Sequence, residues 1–243
     1  MIVLFTDFGL EGPYVGQIYG VLARLVPDQP VINLFANAPA FNPKASSYLL
    51  SAYCQSFPAD TVFIGVVDPG VGHPQRRGIV VQTDFGWFVG PDNGLFQIVA
   101  QRSGQLEVWE IDYDPQQVSQ SFHGRDVFAP VAAAVARGDF RGGKHLRNWL
   151  DPEHLWPESL YEIIYIDHYG NAMTGIDAGT LPEEAVLDVN GELVGRARTF
   201  SDVAPGQAFW YRNANGLVEV AVNQERADAR FQLAVGTPIK ILR

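Results

Sequence analysis

The stretch that decides the fold is TVFIGVVDPGVG, residues 61–72. Its first seven residues are largely apolar and rich in β-branched side chains, which is typical of a buried strand. Asp68 follows at once, and a Pro-Gly-Val-Gly turn comes directly after it. Since α/β sheets bind ligands at the carboxyl ends of their strands, this pattern predicts an α/β fold with a functional carboxylate at Asp68. An aspartate that only caps its own turn fits Asp-Pro-Gly equally well.

Two adjacent arginines, Arg76 and Arg77, open the next apolar run and offer Asp68 a charged partner. Neighbouring residues of a strand point to opposite faces, so only one of the two arginines can reach the side that Asp68 faces. The sequence leaves open which of them does so. It also leaves open that the arginine is merely a solvated charge.

Strands and helices alternate through the first part of the chain. Apolar runs predict strands, which lie at 2–5, 31–35, 61–67 and 106–111. Apolar residues at helical spacing predict helices, which lie at 14–25, 44–53 and 125–137. Two short runs, 78–83 and 87–89, flank an Asp-Phe-Gly turn and predict a hairpin. The alternation predicts an α/β layer with a largely parallel sheet.

The pattern changes near residue 140, where glycines and prolines interrupt any regular element. Beyond this point short strands and turns follow one another, as in an antiparallel sandwich or barrel of about 80 residues. We therefore predict two domains: an N-terminal α/β domain over residues 1–150 and a C-terminal antiparallel β domain over residues 158–243.

Composition excludes several classes of protein. The net charge is −10, from 27 acidic and 17 basic residues, which disfavours binding to nucleic acid or to an anionic membrane. Cys54 is the single cysteine, so a disulfide within the chain is excluded and a buried, inert thiol is expected. Neither a membrane-spanning run nor a signal-peptide pattern is present, so we expect a cytoplasmic protein.

Three further motifs carry side chains with possible chemistry. Asp7 follows the first predicted strand, and His123 precedes a predicted helix, where an imidazole suits acid–base work. Asp167 and Asn171, with an aromatic residue between them, suit an amine, a flat ring and a base edge. Taken singly, a structural histidine and a plain turn remain the ordinary alternatives. Spacings typical of a P-loop, a dinucleotide fold, a serine hydrolase or a metal site are not found.

Together these stretches resemble the S-adenosyl-L-methionine (SAM) hydrolase family, the hydroxide adenosyltransferases, which are relatives of the fluorinase and chlorinase enzymes. The resemblance covers nearly the whole chain. The motifs that carry it are TDFG at 6–9, GPYVG at 12–16, VDPGVG at 67–72, Arg76-Arg77, VGPDNGL at 89–95, FHGRD at 122–126, DHYGN at 167–171, NGL at 215–217 and AVNQ at 221–224.

The resemblance implies hydrolysis of SAM to adenosine and L-methionine by attack of water or hydroxide on the ribose 5′ carbon. In the family's hydrolytic members an Asp–Arg–His set holds the attacking water, and halogenating relatives lack it. By motif position this set falls on Asp68, Arg76 and His123. The implied substrate-binding residues are Asp7 for the ribose hydroxyls, Asp167 for the methionine ammonium, and Asn171 for the adenine edge, with Phe200, Asn215 and Val222 nearby.

The resemblance also implies a C-terminal β-barrel and a homotrimer, with each site between one subunit's N-terminal domain and its neighbour's C-terminal domain. No cofactor and no metal are implied, since SAM is the substrate. The chain departs from the family pattern in four places, two of which are Ala214, where a Ser usually precedes Asn215, and Tyr169, where the motif usually has Phe. The loop before Arg76 is one residue longer, which keeps Arg77 as an alternative, and Asn33-Leu34-Phe35-Ala36 replaces a run that normally contains Asp and His.

Two other functions stay open on the sequence. The chain is compatible with a SAM- or nucleoside-binding protein that lacks turnover. It is also compatible with a halide-dependent adenosyltransferase, although the Asp68–Arg76–His123 set disfavours that function.

Overall fold

The structure is a computed structural model that describes residues 1–73, 75–113, 117–152 and 155–242. The chain divides into two units, Met1–Trp156 and Pro157–Arg243. The predicted domain bounds, 1–150 and 158–243, stay a prediction.

The first unit alternates strands and helices, as predicted. Its strands are β1 (Ile2–Thr6), β2 (Val31–Phe35), β3 (Val62–Val66), β4 (Gly78–Thr83), β5 (Gly86–Pro91), β6 (Leu106–Glu110) and β7 (Lys144–His145). Its α-helices are α1 (Tyr14–Leu25), α2 (Pro43–Tyr53), α3 (Gln97–Gln101) and α4 (Ala129–Ala136). A π-helical turn, Gly124–Phe128, leads directly into α4.

The strands of the first unit form one mixed sheet in the order β2-β1-β3-β5-β4-β6-β7. The pairs β1–β2, β1–β3 and β3–β5 are parallel. The pairs β4–β5, β4–β6 and β6–β7 are antiparallel, and β4–β5 is the predicted hairpin. The α/β fold is therefore confirmed, and its parallel part is the part that contains Asp7 and Asp68 at strand ends.

Burial explains why the sequences of the parallel strands are continuous apolar runs. All residues of β1 and β3 are buried, because helices cover both faces of a parallel sheet. One core cluster joins Ile2 and Leu4 of β1 to Ile18 and Leu22 of α1. These strands are thus held rigidly, and the residues that follow them are placed by the core.

The second unit is built of antiparallel strands. They are β8 (Leu160–Ile166), β9 (Ala172–Asp177), β10 (Val186–Val189), β11 (Glu192–Val194), β12 (Ala208–Arg212), β13 (Leu217–Val222) and β14 (Lys240–Leu242), with a short helix α5 (Ala227–Phe231) after β13. They form two sheets in the orders β12-β13-β9-β8 and β11-β10-β14. Over residues 157–242 neither sheet closes on itself, so the antiparallel architecture is confirmed and the predicted barrel is not.

Among the described helices, none has both the length and the apolar character that crossing a membrane requires.

Candidate active site

Asp7 and Asp68 lie side by side at the carboxyl ends of two adjacent strands. Strands β1 and β3 run parallel with Thr6 opposite Val66, and the Asp7 N–H donates to the Val66 carbonyl at 3.3 Å. Both aspartates line a small cavity of about 100 Å³. The other residues that line this cavity are Phe8, Phe41, Val66, Val71, Ser121, Phe122, His123, Gly124 and Phe128.

The Asp68 carboxylate is buried, and only one of its oxygens is engaged. Its side chain is 3% exposed, and Oδ1 accepts a hydrogen bond from the Gly70 N–H at 3.0 Å. Oδ2 is buried and has no hydrogen-bond partner in the described part of the chain. A buried acceptor without a partner is costly. Asp68 therefore keeps a strong acceptor for an O–H group that enters the site.

Of the two adjacent arginines, Arg76 is the one that contacts Asp68. Its Nε lies 3.1 Å from Asp68 Oδ1, but the N–H is not aligned, so the contact is an ion pair without a hydrogen bond. Arg76 Nη1 also donates to the Asp92 carbonyl at 3.0 Å. Arg77 pairs instead with the carboxylates of Asp92 and Glu110.

His123 is brought to the same cavity as Asp7 and Asp68. It is 7% exposed and immediately precedes the π-helical turn Gly124–Phe128. Its ring and the Tyr113 ring pack in a T-shaped arrangement, with 5.5 Å between the ring centroids. The charged residues that follow His123 pair with each other. The Arg125 guanidinium donates to Asp126 and holds the pKa of that carboxyl below its usual range.

Two residues near this cavity were missed by sequence reasoning. Burial raises the pKa of the Tyr113 hydroxyl, and the Asp68 charge acts in the same direction. The Phe41 N–H donates to Asp7 Oδ2 at 3.1 Å, although Phe41 itself is 77% exposed with φ +59°. No spacing in the sequence marks either residue, since their importance arises from tertiary neighbours.

Burial also acts on Asp7. It raises the pKa of the Asp7 carboxyl, hydrogen bonds from the Phe41 and Asp7 amides oppose it, and the Asp68 charge adds to the rise. The Asp7 carboxyl is thus partly buried and lies close to the Asp68 carboxylate. Such a pair favours a ligand that donates hydrogen bonds to it.

A larger cavity, of about 690 Å³, lies in the second unit. It brings together four of the predicted substrate-binding residues, which are Asp167, Asn171, Phe200 and Val222. The remaining lining residues are Tyr169, Tyr211, Asn223, Gln224, Glu225 and Arg226. Asn215 lies in the turn between β12 and β13 and is not among them, so its binding role stays a prediction.

The lining of the larger cavity includes aromatic rings, two carboxylates and the Arg226 guanidinium. Phe200 packs edge-on against Tyr211, with ring centroids 5.5 Å apart. Asp167 accepts hydrogen bonds from the Asn171 N–H at 2.8 Å and from Asn171 Nδ2 at 3.2 Å. A carboxylate such as Asp167 suits a cationic group, and an aromatic ring suits a flat ring.

A buried carboxylate, Glu219, lies next to this cavity and was missed by sequence reasoning. It is held by hydrogen bonds from the Tyr211 hydroxyl at 2.7 Å and from Asn213 Nδ2 at 2.9 Å. Burial raises the pKa of Glu219, and the Asp167 charge acts in the same direction. Glu219 lies within the apolar strand β13, and the pattern of apolar residues around it does not indicate a functional carboxylate.

Two further expectations concern metals and thiols. Across the described ranges, no group of three or more His, Cys, Asp or Glu side chains is arranged to hold a metal ion. Cys54 is buried, as predicted, and burial raises the pKa of its thiol to about 12. A thiol of this kind is inert at neutral pH.

The fold and the two cavities define a two-part α/β plus antiparallel β protein with a strand-end carboxylate site. Family profiles identify it further. The profile described as "SAM hydroxide adenosyltransferase N-terminal domain" matches residues 2–142, and the corresponding C-terminal domain profile matches residues 161–240. The chain belongs to the SAM hydroxide adenosyltransferase family, which confirms the resemblance seen in its motifs.

Individual relatives align along almost the whole chain. A Salinispora arenicola protein named "(R)-S-adenosyl-L-methionine hydrolase" is 35% identical over 254 residues, which cover 97% of this chain and 95% of the relative. A Thermus thermophilus protein of the same name is 31% identical over 269 residues, or 99% of each chain. The crystal structure of an uncharacterized conserved protein from Thermotoga maritima superposes with a TM-score of 0.88 at 32% identity, covering 100% of both chains.

Proposed function

We propose that this chain is an enzyme that hydrolyses S-adenosyl-L-methionine to adenosine and L-methionine. The observation that carries the proposal is the cavity where Asp68, in contact with Arg76, and His123 meet at the ends of β1 and β3. The family membership of the chain and the names of its relatives support the same reaction.

In the proposed mechanism, Asp68, Arg76 and His123 hold the attacking water. The free Oδ2 of Asp68 accepts a hydrogen bond from the water, and the Arg76 charge lies beside the other oxygen of that carboxylate. The water oxygen bonds to the ribose 5′ carbon as the carbon–sulfur bond breaks. The electron pair of that bond goes to sulfur, which leaves as the neutral thioether of methionine, and His123 takes the proton of the water. A positioned base contributes about 10²–10⁴-fold to such a rate.

The proposed reaction needs no cofactor and no metal. A sulfonium is already an activated leaving group, because bond breaking neutralises its charge. The remainder of the rate enhancement then comes from holding the water and the 5′ carbon in line, which is the usual effect of positioning.

The remaining predicted residues are proposed to bind the substrate. Asp7 accepts hydrogen bonds from the ribose hydroxyls. Asp167 binds the methionine ammonium, and Asn171 contacts the adenine edge. Of the residues proposed to lie nearby, Phe200 offers its ring to the flat base, and Asn215 and Val222 complete the set.

We further propose that the protein is a cytoplasmic homotrimer, that the two sheets of the second unit together form a barrel, and that each site lies between subunits. A cavity of about 100 Å³ is far smaller than the roughly 300–1,000 Å³ that ligand pockets of this kind occupy. Large apolar side chains are also exposed, including Leu10 at 76% and Tyr169 at 74%. Exposed apolar side chains often mark interfaces, so they support the proposal that another subunit covers them.

The test is incubation of the purified protein with SAM in ¹⁸O-labelled water, followed by mass analysis. Both sulfonium epimers are used, because the relatives' names specify the (R) form. We expect methionine and adenosine with the label in the 5′ hydroxyl, and loss of this product in Asp68→Ala and His123→Ala variants that remain folded. Binding without adenosine, a chloride-dependent 5′-chloro product, or full activity in both variants would overturn the proposal.

A further inference from the structure

The turn that follows β5 is a motif that the proposed mechanism leaves unused. Its residues are Pro91, Asp92, Asn93 and Gly94, and sequence alone marks them only as a turn. We propose that Asn93 is a positioning residue for the Asp68–Arg76 pair, and that this turn acts on the reaction through those two residues. The inference rests on the proposed function and deepens it.

The topology of the sheet brings this turn to the site. Strand β5 lies parallel to β3, with Ile64 opposite Val89, so both strands end at the same edge of the sheet. Asp92 and Asn93 follow β5 as Val67 and Asp68 follow β3. The turn therefore lies beside the reacting group without being part of the cavity lining.

Asn93 fixes the backbone immediately before Asp68. Its Nδ2 donates to the Val67 carbonyl at 2.8 Å, and its Oδ1 accepts from the Leu95 N–H at 3.2 Å. Because both ends of the amide are engaged, the side chain cannot rotate without losing one of these bonds. The peptide that carries Asp68 is thereby tied to the end of β5.

Asp92 fixes the other member of the pair. Its carbonyl accepts from Arg76 Nη1 at 3.0 Å. Its carboxylate accepts from Trp149 Nε1 at 2.8 Å and also pairs with Arg77. The residue whose carbonyl accepts from Arg76 is thus also held through its side chain, by Trp149 and Arg77.

These contacts matter because the ion pair does not fix its own geometry. The Arg76 Nε–H is not aligned with Asp68, so the ion pair itself supplies no directional hydrogen bond between the two side chains. The turn adds two directional hydrogen bonds, one from Arg76 to the Asp92 carbonyl and one from Asn93 to the carbonyl of the residue before Asp68. Since misplacement of a reacting group by about 1 Å can cost about 10²-fold, a restraint of this kind acts on the chemical step.

The first experiment compares kcat and KM for SAM in Asn93→Ala and Asn93→Asp. Aspartate keeps the acceptor for the Leu95 N–H but places an oxygen against the Val67 carbonyl. It is therefore expected to lose the restraint on Asp68 as alanine does. We expect kcat to fall about 10–100-fold in both, with KM changed less than about twofold. Thr83→Val is the matched control, since Thr83 bonds the turn at the other end of β5. It is expected to lower Tm without lowering kcat.

A double-mutant cycle then asks whether Asn93 acts through Asp68. In an Asp68→Asn background, Asn93→Ala is expected to cause no further loss of kcat, because coupled residues are non-additive. Additive losses, or a loss confined to KM, would overturn the inference.

An NMR measurement keeps this inference distinct from the proposed function. The Arg76 Nε–H resonance is followed in the wild type, Asn93→Ala and Thr83→Val. We expect it to shift only in Asn93→Ala, whether or not the protein turns SAM over. A wild type without adenosine formation refutes the proposed function, whereas an unmoved resonance refutes the role of Asn93.

Discussion

At the scale of single residues, Gly70 decides where the Arg76 guanidinium can lie. A Cβ at position 70 would stand 2.3 Å from Arg76 Nη2, and the atom it meets is the far end of a flexible side chain. Gly70→Ala is therefore expected to displace the guanidinium from Asp68 while the fold adjusts easily. We expect kcat for SAM hydrolysis to fall about tenfold or more, with Tm nearly unchanged.

The control for this substitution is Gly20→Ala in α1, where an added Cβ meets nothing within 4 Å. Alanine replaces glycine in a helix with a gain of about 0.5–1 kcal/mol, so this variant is expected to keep its kcat and gain stability. Equal kcat in both variants would show that the position of Arg76 is not set by Gly70.

Asp7 offers a second residue-scale prediction, on pH. Because burial raises the pKa of Asp7, the folded protein binds this proton more tightly than the unfolded chain does. The stabilising contribution is therefore present below the usual aspartate pKa of about 3.9 and is lost as pH rises through the raised value. Asp7→Asn, which still offers an oxygen to the Phe41 N–H, is expected to raise Tm more at pH 7.5 than at pH 4.5.

Thermal unfolding across this pH range checks the prediction, and SAM binding by the same variant is expected to weaken. A Tm gain that is the same at both pH values would mean that the Asp7 charge has no cost in the folded protein. Stability gained at the expense of binding is the ordinary relation at functional sites.

The residues of the site differ in how far sequence alone could predict them. Asp7, Asp68 and His123 follow strands or precede a helix, so their places were predictable from element boundaries. The choice of Arg76 over Arg77 was not, because it depends on contacts with Gly70 and with the Asp92 carbonyl from another strand. Tyr113, Phe41 and Glu219 were missed because each acquires its role from neighbours distant in sequence.

At the scale of elements, helix α2 begins next to the site, because its capping residue Asn42 directly follows Phe41. The Asn42 side chain caps α2 by accepting from the Ala45 N–H at 3.0 Å, and its own N–H donates to the Pro39 carbonyl at 3.1 Å. The preceding Phe41 N–H binds Asp7. Asn42→Ala is expected to cost about 1 kcal/mol, or about 2–4 °C in Tm, and to raise KM for SAM.

Calorimetry and steady-state kinetics test this link between cap and site. Asn42→Ser retains a capping side chain and is expected to restore most of the Tm and of the KM. If alanine lowers Tm while KM stays constant, the cap supports α2 alone and the Phe41–Asp7 contact does not depend on it.

Elements also show why the predicted fold was right in outline and incomplete in detail. The hairpin was predictable, since two apolar runs flank a turn. The helix predicted at 125–137 begins instead as a π-helical turn, and Pro130, which has no N–H to donate, stands at the start of α4. The antiparallel part of the first sheet depends on which distant strands pair with each other. The spacing of apolar residues within a strand does not specify that pairing.

At the scale of the whole molecule, charge agrees with a cationic substrate. The chain carries a net charge of −10, and the cavity of its second unit is lined by two carboxylates, Asp167 and Glu225, and one guanidinium, Arg226. A negative field raises the local concentration of a sulfonium or ammonium ligand and repels nucleic acid. The excess of acidic residues, which disfavours nucleic-acid binding, therefore favours the cationic ligand that the family name specifies.

The proposed shared site makes a prediction about mixed assemblies. Asp68→Ala disables the part of the site contributed by the first unit, and Asp167→Ala disables the part contributed by the second. Each variant alone is expected to be nearly inactive as a homotrimer. Co-expressed in equal amounts, they are expected to form mixed trimers in which some sites join an intact first unit to an intact second unit of a neighbouring chain.

Random mixing sets the size of the expected recovery. A site is intact when its first unit comes from the Asp167→Ala chain and its second from the Asp68→Ala chain, which occurs in about a quarter of sites in a closed ring. The kcat per site of the mixture is therefore expected to reach about a quarter of the wild-type value, measured on trimers isolated by size. A site contained within one chain predicts no recovery at any mixing ratio, because every chain then carries one defect.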